Sequence, residues 1–221
     1  VSDNTGKKKC LPVYLVVDTS GSMEKHTELL NQTVKRVVTH VADSPKVAEF
    51  AHISIITFNT LPHVVLEMTS IDDLTRLPKL ACTAKTNYGA MFAQVRQSIE
   101  ADVPKLIATG RGVLRPVVFI LTDGVPSDND WAAQFNALVD KSWRHHPHTV
   151  SFGFGNAVEP VLARIGTLRA FKAAVDDKVA ITNMLNTLLH TLVQSAGADG
   201  LRVPRQVPGF DTIPDDYMMD E

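Results

Sequence analysis

Leu11-Pro-Val-Tyr-Leu-Val-Val17 is an uninterrupted apolar run, and Asp18-Thr-Ser-Gly-Ser22 follows it at once. A run rich in β-branched residues, with no polar alternation, predicts a strand covered on both faces. The abrupt change at Asp18 places a polar turn at its carboxyl end. Arg115-Pro-Val-Val-Phe-Ile-Leu-Thr122, followed by Asp123-Gly, repeats the pattern a hundred positions on. Two buried strands, each ending on an aspartate, decide the reading of everything between and beyond them.

Outward from the first strand, Leu30, Val34, Val37, Val38 and Val41 recur at helical spacing, so an amphipathic helix is expected over about Lys25 to Asp43. Asp43-Ser-Pro45 ends it, because proline disfavours helix in the residue before it. Short strands at His52–Phe58 and His63–Met68, joined by Asn59–Pro62, read as an antiparallel hairpin, and Ser70–Leu74 as a capped turn. A helix is expected from Tyr88 to Ala101 and a loop from Pro104 to Gly112. Past Asp123 come a helix (Asn129–Trp143), a strand (Thr149–Phe154), a short helix (Glu159–Ile165), a strand (Arg169–Val175) and a final helix (Val179–Gln194).

Buried strands alternating with helices predict an α/β fold with helices on both faces of a mostly parallel six-stranded sheet. Right-handed crossovers make the doubly wound order 3-2-1-4-5-6 the simplest, with strand 3 antiparallel at one edge. The expected domain is residues 10–196. Residues 197–221, where proline and glycine mix with acids, read as an unpacked, flexible tail, with a docking peptide around Phe210, Tyr217, Met218 and Met219 as the other reading.

Composition narrows the function classes. The 221 residues carry 22 Lys+Arg against 24 Asp+Glu, a formal net charge of −2, which gives no electrostatic reason to expect nucleic acid or an anionic membrane as partner. A chain of this length buries about 70% of its unfolded surface and needs no staples. Cys10 and Cys82 form no metal spacing and read as buried thiols of a reducing compartment. The first apolar run is only Leu11–Val17 with no small-residue cleavage site before Asp18, and no stretch approaches the length of a membrane span, so a soluble, cytoplasmic protein is expected.

In a doubly wound sheet, ligands bind beyond the carboxyl ends of the strands where the order reverses. That point lies between the strands ending at Asp18 and Asp123. Ser20 and Ser22 alternate with Thr19 and Gly21, so an extended turn aims the oxygens of positions 18, 20 and 22 one way. Thr86, just before a helix, supplies a fifth oxygen. Two carboxylates and three hydroxyls suit a hard divalent cation, Mg²⁺ before Ca²⁺ or Mn²⁺, and not zinc. Two aspartates balance the cation's charge only when both bind directly. Any contact made through water leaves an open position that favours an incoming carboxylate.

Asp18-x-Ser20-x-Ser22, Thr86 and Thr122-Asp123-Gly together resemble the metal-ion-dependent adhesion site of von Willebrand factor A domains, over roughly Cys10 to Gln194. The resemblance implies the Rossmann-like sheet described above and a partner protein whose Asp or Glu completes the metal shell. Pro12-Val-Tyr-Leu-Val-Val-Asp-Thr-Ser-Gly-Ser-Met23, Leu30-Asn31, Ser54-Ile-Ile-Thr-Phe58 and Thr122-Asp-Gly-Val-Pro-Ser-Asp128 are similar to the bacterial TerY-like proteins. These are stand-alone A domains associated with tellurite resistance and stress, and they imply a non-enzymatic cytoplasmic adaptor working with kinase and phosphatase partners. One departure is Thr83-Ala-Lys85, where that family often has a glycine pair. Lys85, Asn87 and Tyr88 flank the metal threonine and are candidates for a partner-binding rim.

Other features carry blander readings. Asp128 is expected to cap the helix that follows it. His145-His-Pro-His148 reads as a solvated loop before a strand, and Lys7-Lys-Lys9 as a solvated terminus. No Gly-x-Gly-x-x-Gly follows a strand and no Walker lysine is present. Ser stands at position 20, where an aspartyl phosphatase would want an acid. Two alternatives stay open: a metal-dependent phosphoester hydrolase on the same topology, and an A domain serving an ATPase chaperone.

Overall fold

The structure, a computed structural model, describes residues 7–42, 45–74, 79–82, 86–198 and 200–214. Its strands are β1 (Lys9–Asp18), β2 (Ala51–Phe58), β3 (Pro62–Ser70), β4 (Gly112–Val113), β5 (Val117–Thr122), β6 (His148–Gly153), β7 (Arg169–Ala173) and β8 (Phe210–Thr212). The α-helices are α1 (Thr27–Ala42), α2 (Pro45–Phe50), α3 (Tyr88–Ala108), α4 (Trp131–Val139), α5 (Glu159–Ile165) and α6 (Asp177–Ala198).

One sheet runs β3-β2-β1-β5-β6-β7-β8, with the two-residue β4 paired beside the start of β1. Setting β4 aside, this is the expected order with one strand added at the far edge. The β1, β2, β5, β6 and β7 pairings are parallel, and β3 and β8 are the antiparallel edges.

Residues Cys10 to Asp18 of β1 are all buried, as an unalternating run requires. Val13, Leu15 and Val17 pack on one face with Leu30 and Val34 of α1 and with Met184 and Leu188 of α6. Tyr14 and Val16 face the other way, onto Met91, Phe92 and Val95 of α3 and Phe135 of α4. Chain order reverses between β1 and β5, so the crevice at their carboxyl ends is the switch point.

Three expectations are corrected. The expected loop from Pro104 to Gly112 begins too early, because α3 continues through Pro104 to Ala108. Proline deprives that helix of one hydrogen bond, but buried Val103 and Leu106 on either side hold the extra turns against the sheet. Gly110, at φ +79°, then turns the chain toward β4. Between the first helix and β2, Pro45 starts the short helix α2 instead of leading straight into the strand.

The third correction concerns the tail. Residues 200–214 fold back over the sheet: α6 extends to Ala198, and β8 pairs with β7. Val207, Phe210 and Ile213 are buried. Phe210 lies 5.3 Å from Phe152, ring to ring, and closes a cluster with Phe171, so it is a core residue and not part of an exposed docking peptide. Tyr217, Met218 and Met219 lie outside the described residues. Cys10 and Cys82 are buried and unpaired. Among the described residues, no helix is long and apolar enough to cross a membrane.

Candidate metal centre at the switch point

β1 delivers Asp18 and β5 delivers Thr122 and Asp123 because the two strands run in register, Val17 beside Leu121. Thr19 anchors the turn after β1 by donating its N–H (2.8 Å) and its hydroxyl (3.1 Å) to the carbonyl of Phe58 at the end of β2. Ser20 stays extended, and a 3₁₀ turn over Gly21–His26 starts behind it, held by fully buried Met23. The polar residues thus stand at the lip while an apolar plug fixes the backbone below.

The predicted ligands converge. Asp18 Oδ1 accepts from the Ser20 N–H at 2.9 Å, and the Ser20 and Ser22 hydroxyls are 3.2 Å apart. Ser22 Oγ donates to Asp123 Oδ1 at 2.7 Å. Thr86 and Asp18 both face Gly124, where a methyl group would stand 3.6 Å from Thr86 Oγ1 and 3.8 Å from Asp18 Oδ2. Ser127 fixes Thr86 by donating its N–H (2.9 Å) and hydroxyl (2.6 Å) to the Thr86 carbonyl. All five oxygens therefore belong to one crevice.

Electrostatically, the described residues leave the two carboxyls of the centre with little positive charge beside them. Asp18 is fully buried and Asp123 nearly so. Burial pushes both carboxyls above the usual carboxylate range, against the hydrogen bonds from Thr122 and Ser20 in one case and Ser22 in the other. Lys25 and His26 exert a weaker pull on Asp123, but both are bonded to Asp177, at 3.3 and 3.2 Å. Two desolvated carboxylates beside neutral hydroxyls are a donor set that a hard divalent cation completes. Among the described residues, no group of three His, Cys, Asp or Glu side chains is placed to hold a metal.

Some flanking residues depart from expectation. Tyr88 is not on a rim: it is fully buried, and its hydroxyl donates to Thr122 Oγ1 at 2.8 Å. Thr122 in turn donates to Asp18 Oδ2 at 2.7 Å, so a Tyr88–Thr122–Asp18 relay of hydrogen bonds orients the carboxylate. Asn87, half-buried, caps α3 through the Ala90 N–H at 2.9 Å. Lys85 lies outside the described residues. Asp128 caps α3, not the helix that follows it, by accepting the Tyr88 and Gly89 N–H groups at 2.8 Å each. The roles of Thr122 and Tyr88 escape the sequence. The only signal for them is a threonine at the last position of a buried strand.

The profile of the von Willebrand factor type A domain matches residues 13–191. The chain belongs to this family. Among solved structures, the A domain resembles proximal thread matrix protein 1 from the mussel byssus at 17% identity and a TM-score of 0.61, covering 85% of this chain and 48% of that one. Another structure of that mussel protein, with the same identity, is described as having a zinc-occupied MIDAS motif. The pilus adhesin SpaC of Lactobacillus rhamnosus GG matches at 14% identity and a TM-score of 0.65, over 86% of this chain and 31% of that one. The ArnB paralog VWA2 of Sulfolobus acidocaldarius matches at 17% and 0.56, over 84% and 46%. This A domain thus spans half or less of the length of each of these relatives, and at such identities the likeness is one of fold. No curated protein matches the sequence.

Proposed function

We propose that this A domain is a non-enzymatic, divalent-cation-dependent protein-binding module. Asp18, Ser20, Ser22, Thr86 and Asp123 would hold Mg²⁺, directly or through water. When bound, the cation supplies a positive charge with a position open to a partner's Asp or Glu. The observation that carries this reading is the pair of buried aspartates that, among the described residues, are hydrogen-bonded by neutral donors. The loops beside the centre support a protein partner: Leu61, 60% exposed, and Val125, 47% exposed, offer aliphatic contacts around a carboxylate-accepting position. The motifs shared with TerY-like proteins favour a cytoplasmic adaptor in a bacterial stress or tellurite-resistance complex with kinase and phosphatase partners.

Titration of Mg²⁺ during chemical denaturation tests the metal. Stabilisation should follow RT ln(1 + [M]/Kd), about 2.7 kcal/mol at a hundredfold excess over Kd, and should be absent in Asp18→Ala. An unresponsive wild type would remove the metal from the proposal. Capture of a partner from lysate should fail in EDTA and with Asp123→Ala, and equal capture in all conditions would defeat the carboxylate bridge. Turnover of a generic phosphomonoester that vanished in Ser20→Ala would instead support a hydrolase.

A further inference from the structure

The net charge of −2 conceals a separation along the sheet. Asp18, Asp123, Asp128 and Asp177 gather at the carboxyl ends of the strands, whereas cations precede or open them at the other end: Lys9 at β1, Arg115 ahead of β5, Arg169 at β7. At that amino-terminal end, a cleft of about 540 Å³ lies between the last turns of α6, the start of β7 and residues 201–204. Its floor is apolar, with Leu168, Leu201 and Val203, and Arg169, Arg202 and His190 stand around it. A neighbouring cleft of about 360 Å³ shares Arg169 and adds Arg205.

Among the described residues, none of these four basic side chains enters an ion pair. Arg169 places one N–H on the Leu168 carbonyl at 2.9 Å, leaving the rest of its fork for a ligand. We propose that this cleft is a second docking site, one that takes an acidic peptide segment of a partner protein with aliphatic side chains between its carboxylates. Guanidinium forks match carboxylates bidentately, and the apolar floor accepts the side chains between them. A phosphate backbone would leave that floor unused, and among the described residues no Phe, Tyr or Trp lines either cleft as a platform for a base. The 22 residues of α6 run from Asp177, near the metal centre, to this cleft, a span of about 33 Å. Two partners can therefore be held at once without touching, as an adaptor requires.

The test uses the full chain and a fluorescein-labelled peptide of three Glu-Leu repeats, followed by fluorescence anisotropy at low salt. Saturable binding should weaken about tenfold in the double variant Arg202→Glu/Arg205→Glu, whose exposed side chains leave the core intact, and again in 0.5 M salt. Circular dichroism melting confirms that the variant is folded. EDTA and Asp18→Ala should leave peptide binding unchanged, which separates this site from the metal centre. Equal binding by wild type and variant, equal binding of a Gln-Leu peptide, or tighter binding of an oligothymidylate than of the acidic peptide would each overturn the proposal.

Discussion

Thr122 shows how one hydroxyl governs a site it does not itself face. It accepts from Tyr88 and from the Gly124 N–H (3.2 Å) and donates to Asp18, so its single proton must point at the carboxylate. Thr122→Val keeps the volume and removes the relay. It should cost about 1–3 kcal/mol in denaturant unfolding, because the buried Tyr88 hydroxyl and Asp18 both lose a partner. Mg²⁺ affinity, read by calorimetry, should fall about 10–100-fold, as when an orienting group behind a metal ligand is removed. Asp18 and Asp123 are legible in the sequence because each directly follows a buried apolar run. The relay is not, because Tyr88 and Thr122 meet only once α3 packs on the sheet.

At the scale of elements, α3 carries the most consequential contacts. Its N-terminus takes Asp128 from a distant loop, so a residue that reads locally as the cap of the next helix serves another one. Pro104 sits in its interior, exposed, and Pro104→Ala should restore the missing hydrogen bond and raise stability by about 1–3 kcal/mol in urea unfolding. Two residues earlier, Asp102 is buried and accepts from Tyr14 of β1 at 3.1 Å. Burial raises its carboxyl above the ordinary 3.8, and the Tyr14 hydrogen bond and Lys105 offset this only in part. A raised carboxyl contributes stability that is complete below pH 3.8 and is lost as pH rises through the folded-state value. Asp102→Asn, which keeps an acceptor for Tyr14, should therefore be more stable than wild type at pH 7. The gap should close as pH falls towards 4, as compared by urea midpoints across that range.

For the molecule as a whole, residues 200–214 complete the fold. Without β8, the edge of β7 would be open and Phe152 and Phe171 would lose their outer cover. Phe210→Ala should cost about 3–5 kcal/mol, visible as a lowered melting temperature, whereas a mere tail would tolerate it. Periodicity could not reveal this, since three strand residues between prolines and a glycine carry no repeating pattern; only the vacant edge and aromatic surface of β7 give the segment a place. The sequence by itself determined the alternation of strands and helices, the doubly wound order and the two aspartates of the switch point, because each rests on local apolar patterning and chain connectivity. Tertiary structure alone decided which side chains meet across that connectivity. It set Tyr88 behind Thr122, Asp128 on α3, β8 on β7 and three arginines around two adjoining clefts. Such contacts join residues far apart in the chain, and they form only when burial of the two sheet faces brings those residues together.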